Sequence, residues 1–345
     1  MLGTPLYIQY PSWIHPQIFP NVPVLGLFRW YGLMYVFAVV TAFFVLKKQY
    51  KEGALDSPSR PATEDDIYSF IGWGFVGLIL GARIFSTLVY NTSGIYWKKP
   101  WLIFWPFDPD TKQFTGLVGM SYHGGFIGGL LAMIIWCRVH KRPVWKWIDA
   151  MAVSIPLGFT FGRLGNFLNG ELYGRVTTMP WGMIFRDAQT FSSSIDWVQE
   201  IMKKIGMEIS ETSRLVNLPR HPSQLYEAFF EGVFLWGILW LLRKRKPFDG
   251  FMAAAYTVCY GFMRFIIEYF REPDVDLGYR ISANGSEVTA LNTSLLNLST
   301  GQILCFLMIT GGFMLGFACW VETIKPKKQA AQKSLSGDSN DPTSR

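Results

Sequence analysis

The chain has 345 residues, half of them apolar, with 28 Phe, 15 Tyr and 14 Trp, and its charged residues fall in islands. That mixture excludes an ordinary soluble domain and points to a polytopic membrane protein embedded in a lipid bilayer. The net charge of +7 is carried by short basic loops, so it calls for no nucleic-acid partner.

Apolar runs of membrane-spanning length occur seven times, near 27–46, 67–90, 121–137, 148–168, 225–242, 251–270 and 301–322. The fold class expected is therefore all-α, with seven transmembrane helices. The fourth run is interrupted by Pro156, which membrane helices tolerate when neighbours satisfy the freed carbonyl. Residues 1–26 hold no Lys or Arg and no small-residue cleavage site after an apolar core, so the first helix is expected to be retained.

The loops alternate in character. Lys47, Lys48, Lys51 and Arg60 follow the first run; Arg138, Lys141, Arg142 and Lys146 follow the third; "RKRK" follows the fifth and "IKPKKQAAQK" the seventh. The positive-inside rule puts these loops and the C-terminus in the cytoplasm and the N-terminus outside. Of the longer outside segments, 91–120 is rich in Trp and Phe with interspersed Lys, as an arm lying in the membrane interface would be. Residues 169–224 are expected to form a small outside head, with "SSIDWVQEIMKKIGMEI" as an amphipathic helix. The membrane domain spans 1–324, and 325–345 reads as a basic tail without structure. Cys137, Cys259, Cys305 and Cys319 lie at no metal-ligand spacing and read as buried free thiols; with four scattered histidines, no metal or other cofactor is expected.

Orientation brings the polar residues to one level. Tyr31 lies early in the first helix, Arg83 in the outer half of the second, His123 near the outer end of the third, and Arg163 and Asn166 in the last turns of the fourth. On the sixth, Tyr260, Arg264 and Glu268 are successive i, i+4 neighbours on one face, with Arg271 at the boundary. An Arg or Asp at a helix centre costs about 2.5–3.5 kcal/mol on insertion scales, less toward the interface. Arg83, Arg163, Arg264 and Glu268 together therefore cost on the order of 5–10 kcal/mol unless paired or hydrated, which marks a functional site. Glycines at GxxxG spacing, Gly77 with Gly81 and Gly124 with Gly128, are expected to let helices approach closely.

Several arginines at outer-leaflet depth suit a phospholipid headgroup, because guanidinium binds phosphate through paired donors. A histidine beside them exchanges protons near neutral pH, and Asn166 and Asn169 offer neutral donors and acceptors. No serine elbow or Cys–His pair is visible, so the nucleophile is expected to come from a substrate. A transporter of an anionic substrate is the alternative, but its polar groups would sit nearer the midplane between two related halves.

The stretch "GRLGNFLNGELYGR", 162–175, resembles the signature of the prolipoprotein diacylglyceryl transferase family at Gly162, Arg163, Gly165, Asn166, Phe167, Asn169, Glu171 and Gly174. "FRWYGLMY", "GARIF", "SYHGGFIGG", "RHPSQLYEA", "YGFMRFIIEYFREPD" and "LSTGQIL" extend the resemblance in order along the chain. The resemblance implies transfer of the diacylglyceryl group of phosphatidylglycerol to the lipobox cysteine of a prolipoprotein signal peptide, in the bacterial cytoplasmic membrane with the active site toward the outer leaflet. It also implies His123 as the essential histidine, Arg163 and Arg264 as phospholipid-binding arginines, and Tyr31, Asn166, Glu171 and Glu268 as further polar positions. Asn169, Gly174, Arg83, Tyr260 and Arg271 complete the expected substrate-binding set. Segments 187–220 and 274–298 are longer than the family pattern.

Overall fold

The computed structural model describes residues 7–20, 22, 28–58, 60–107, 111–114, 119–208, 214–273, 278–283, 289–291 and 294–337, with side chains as far as 324. In chain order the helices are α1 Trp30–Lys51, α2 Glu64–Phe85, which closes in a π turn over Ser86–Tyr90, α3 Ile95–Lys98, α4 Tyr122–Val139 and α5 Val144–Asn169. Then come α6 Asp196–Ile205, α7 Ser223–Glu227, a π-helical stretch Ala228–Phe234 that leads into α8 Leu235–Leu242, α9 Phe251–Ile267 and α10 Thr300–Gly337.

Among the described residues five helical stretches are long and apolar enough to cross a bilayer: Trp30–Lys51, Glu64–Tyr90, Tyr122–Val139, Ser223–Arg245 and Thr300–Ile324. The two other expected spans are helices of a different kind. α9 is apolar but has 17 residues. α5 has 26 residues and runs through Pro156 unbroken, but Lys146, Asp149, Arg163, Asn166 and Asn169 dilute it. The tail expected to lack structure from 325 continues α10 as helical backbone to Gly337; 338–345 lie outside the described residues.

The chain divides into two compact units, residues 43–151 and residues 1–42 with 152–345. In the first, Thr63 and Asp66 form a reciprocal capping box that starts α2, and Glu64, Asp65 and Asp66 complement the helix dipole. Beneath them Phe70, Trp136 and Trp147 are fully buried. Arg142, equally buried, donates to the carbonyls of Arg60 at 2.8 Å and Pro61 at 3.0 Å and pairs with the Asp66 carboxylate. α2 and α4 approach so closely that a Cβ on Gly77 or Gly81 would collide with the carbonyl oxygen of Gly128 or Gly124. The expected glycine stripe is thus a helix contact. The arm expected at 91–120 includes α3 and a 3-10 turn, Pro100–Phe104. Trp97, Trp101 and Phe114 are exposed there, while Leu102 and Ile103 are buried; 108–110 and 115–118 lie outside the described residues.

The second unit carries the head. α6 buries Val198, Ile201, Met202 and Ile205, an i, i+3, i+4, i+7 stripe, against Val176, Val216 and Leu218, and Gly206 ends it in a left-handed turn at φ +66°. The amphipathic helix read from the sequence is therefore present. β1 Ile8–Gln9 pairs in parallel with β2 Met183–Ile184, which ties the N-terminal segment to the head. β3 Phe191–Ser192 pairs with β4 Leu215–Val216, and β5 Tyr279–Ile281 with β6 Leu298–Ser299. All three pairs are ties of two or three residues, and the unit remains helical.

Candidate active site

The signature stretch ends α5 and turns back on itself. Gly165 lies against Tyr31 and Met34 of α1, so Tyr31 stands beside the signature, with its hydroxyl 3.0 Å from that of Tyr35. Gly170, at φ +69°, breaks the helix. After the break the Glu171 carboxylate accepts from Asn166 Nδ2 at 3.0 Å and Asn169 Nδ2 at 3.3 Å, while Gln224 Nε2 donates to the Glu171 carbonyl at 2.6 Å. Both asparagines expected to meet substrate thus hold Glu171, an exposed residue. Gly174 is buried: its N–H donates to the His221 carbonyl at 2.8 Å, and a Cβ there would strike the Phe270 carbonyl oxygen.

The charged groups of α5, α7 and α9 converge. Arg163 Nε lies 2.8 Å from Glu227 Oε2. Arg264 Nη1 lies 3.2 Å from Glu227 Oε1 and 3.5 Å from Glu231 Oε1, and Arg264 Nη2 lies 2.9 Å from Glu268 Oε2. The other Glu268 oxygen accepts from Ser299 Oγ at 3.0 Å, and Ser299 is itself held by reciprocal bonds with Gln302. The Arg264–Glu268 pair expected from i, i+4 spacing is present, but as one edge of a larger network. Three carboxylates, each with at most 6% of its side chain exposed, surround the Arg264 guanidinium, and one of them, Glu227, also touches that of Arg163.

Glu227 and Glu231 are absent from the sequence-derived candidates. Their signal was the same one that picked out the arginines: two carboxylates four apart inside the apolar run "YEAFFEGVFLWG". A π-helical stretch begins directly after Glu227 and includes Glu231; such widened turns recur at functional sites.

Around this network Tyr260 packs edge-on to Phe159 at 5.8 Å, and the Phe159 ring lies 4.7 Å from the Arg163 guanidinium. Arg271 bridges to Gly174 through its backbone and is half-buried; burial and the neighbouring Arg264 charge hold it below the ordinary arginine range. His221 places Nδ1 3.2 Å from the Tyr226 hydroxyl and its ring edge-on to Phe270. Burial first, and the Arg175 charge second, push it down to about 4.

The remaining candidates belong to the unit of residues 43–151. His123, in the first turn of α4, is exposed, and its Nδ1 meets the Tyr90 hydroxyl at 2.8 Å. Ser121 caps that helix, accepting from Gly124 N at 3.1 Å. Arg83, expected to bind substrate, has 4% exposure. Its Nε donates to the Ile103 carbonyl and its Nη1 to the Gly119 carbonyl at 3.3 Å. Those contacts hold the arm's backbone and offer a substrate little surface.

Buried arginines balanced by glutamates at helix ends fit an anion-binding site, and comparison with known proteins agrees with the sequence resemblance. The family model described as prolipoprotein diacylglyceryl transferase matches residues 21–318. A phosphatidylglycerol–prolipoprotein diacylglyceryl transferase of Treponema pallidum (strain Nichols) is 52% identical over 313 residues, 89% of this chain and 93% of that protein. One of the same name from Treponema denticola is 52% identical over 334 residues, 94% of this chain and 98% of that protein. A third, from Chlorobaculum tepidum, is 38% identical over 314 residues, 90% of this chain and 91% of that protein. The chain belongs to the prolipoprotein diacylglyceryl transferase family.

Proposed function

We propose that the protein transfers the diacylglyceryl group of phosphatidylglycerol to the lipobox cysteine of a bacterial prolipoprotein. The cysteine thiol loses its proton, and the sulfur attacks the glycerol carbon that carries the phosphate ester. A carbon–sulfur bond forms, the carbon–oxygen bond to phosphate breaks, and glycerol phosphate leaves with the electron pair. The chain supplies a base and anion stabilisers, and the substrate supplies the nucleophile. A free thiol is only a few per cent thiolate at neutral pH, so a base speeds the attack.

In this reading His123 takes the thiol proton. Its contact with Tyr90 at Nδ1 fixes the ring, and in the tautomer whose Nδ1–H donates to the Tyr90 oxygen Nε2 is the acceptor. Arg163 and Arg264 neutralise the charge that develops on the leaving phosphate. Glu268 orients Arg264, which the 2.9 Å pair supports. Tyr31, beside the signature, and Glu171, held by Asn166 and Asn169, line the approach of the lipid headgroup. Seven helices cross the bacterial cytoplasmic membrane, with the N-terminus on the periplasmic side and the basic loops in the cytoplasm, so that the site opens to the outer leaflet. α5 and α9 complete the seven because their charged residues face partners inside the unit instead of lipid.

The observation that carries the proposal is the two-arginine network anchored in the signature stretch of a chain that matches the family over most of its length. A transporter is not favoured, since the relatives carry the transferase name. Purified protein is expected to move labelled lipid from phosphatidylglycerol to a lipobox peptide, and alanine at His123 or Arg163 is expected to abolish this. No transfer by the intact chain would sink the proposal.

A further inference from the structure

Arg163 and Arg264 hold their guanidinium groups differently, and the difference runs through one carboxylate. Arg264 has both terminal nitrogens engaged, Nη1 with Glu227 and Glu231 and Nη2 with Glu268. Arg163 gives only Nε, to Glu227, while the Phe159 ring backs its guanidinium at 4.7 Å. Among the described residues neither Nη of Arg163 has a partner, and 16% of its side chain is exposed. A guanidinium whose Nε side is paired with a carboxylate and whose face is backed by a ring keeps its Nη pair for another anion, the fork that binds phosphate oxygens in parallel.

Glu227 makes that pairing. Its side chain is 1% exposed, and one oxygen faces each arginine. Among the described residues neither oxygen makes an aligned hydrogen bond, to a guanidinium or to any other group, so the carboxylate is held there by close charge pairing with the two arginines. A buried carboxylate whose partners are two cations is costly as packing alone, because removing either cation strands the charge.

We infer that Glu227 is a positioning residue for phospholipid binding: its charge draws the Nε side of Arg163, with Arg264 paired on its other side, so that the Arg163 fork is preset for the phosphate diester. The inference rests on the transferase reading above for the identity of the lipid. Arg163 is then the arginine that touches phosphate, and Arg264 the anchor behind it. Presetting a donor saves the reorganisation that an unrestrained side chain would undergo on binding.

The test is equilibrium binding of labelled phosphatidylglycerol to the purified full-length protein in detergent micelles, run beside turnover with a lipobox peptide. Glu227→Gln keeps the shape and removes the charge. It is expected to weaken lipid binding and raise KM for the lipid about tenfold, as losing one charge-assisted contact would. In an Arg163→Lys background, where no fork exists, the same change is expected to alter binding less than about twofold. If Glu227→Gln does not fold, Glu227→Asp, one methylene too short to span both guanidiniums, gives the same reading. A lowered melting temperature with lipid binding unchanged would overturn the inference and leave Glu227 a packing residue. So would penalties that multiply independently in the double variant. An intact protein that binds phosphatidylglycerol but transfers nothing would remove the transferase reading while the binding shifts still decide the role of Glu227. Equal binding by the intact protein and the Glu227 variants would remove the inference whatever the turnover.

Discussion

The unit of residues 1–42 and 152–345 buries arginines in two places, and it uses them in opposite ways. In the helical network, Arg163 and Arg264 face Glu227, Glu231 and Glu268, and 16% and 12% of their side chains stay accessible. In the head, Arg175 and Arg220 are 3% and 0% exposed. Arg175 Nη1 donates to the Thr289 carbonyl at 2.8 Å, the Leu291 carbonyl at 3.4 Å and the Tyr279 hydroxyl. Arg220 pairs with Glu272, donates to the Gln189 carbonyl at 3.3 Å, and lies over the rings of Tyr173 and Phe191.

The difference separates a staple from a site. Backbone carbonyls, aromatic faces and, for Arg220, one carboxylate satisfy a guanidinium away from solvent and fasten loops that lack regular secondary structure. Carboxylates on helices hold a guanidinium rigidly while leaving room for another anion to meet it. Arg83 falls with the staples by the same criterion, since its donors go to the Ile103 and Gly119 carbonyls.

The largest effect that sharpens this comparison is at Arg264. Arg264→Met leaves three buried carboxylates short of their shared cation, which costs about 3–5 kcal/mol where a buried pair is broken. Transfer activity is expected to fall by about a thousandfold or more, together with the melting temperature. Thermal unfolding and turnover measured on one preparation check both. An active, fully stable variant would mean that the network is not organised around Arg264.

Arg175→Met is the matching change among the staples. It removes the donor to two carbonyls and a hydroxyl, so a loss of about 2–3 kcal/mol is expected, seen as early melting. Below that melting temperature, turnover is expected within about threefold of the intact protein, because Arg175 makes no hydrogen bond or ion pair with the network among the described residues and feels Glu268 only through space. Lost turnover with melting unchanged would erase the distinction between the two kinds of arginine.

Much of this was legible in the sequence because it follows local periodicity. The α6 stripe, the glycine contact of α2 with α4 and the Arg264–Glu268 pair all repeat at helical spacing, and each is present. Pairing between distant segments was not legible. Nothing in residues 8–9 announces that they join 183–184, and nothing in "GARIF" tells that Arg83 meets the Ile103 and Gly119 carbonyls. Glu227 and Glu231 stand between these cases. A carboxylate inside an apolar run costs desolvation as an arginine does, so Glu227 and Glu231 are as conspicuous in the sequence as Arg163 and Arg264, whereas their convergence on those arginines depends on packing between helices. A side-chain amide shows no partner in a sequence; Asn166 and Asn169 find one in Glu171, two to five residues away across a left-handed turn.

The smallest effect tests how the staples treat a neighbouring proton. His221 lies beside Arg175, and with burial that charge brings it down to about 4 from the ordinary 6.5. In the unfolded chain the imidazole takes up a proton as pH falls through about 6.5, while in the folded head it stays neutral until about 4. The unfolded state therefore binds more protons between those values, so the contribution of His221 to stability is complete above about 6.5 and is lost as pH falls toward 4. By pH 5.5 the loss amounts to about 1 kcal/mol. Other groups titrate in the same range, so the quantity to measure is the difference between the intact protein and His221→Gln, each melted at pH 7.5 and 5.5. The intact protein is expected to lose more than the variant by that amount. In the helical network arginines are balanced by carboxylates, whereas in the head Arg175 repels a positive charge from the imidazole that meets Tyr226. Equal pH slopes for the two proteins would show that His221 is free to protonate, and that the head arginine is screened as well as those of the network.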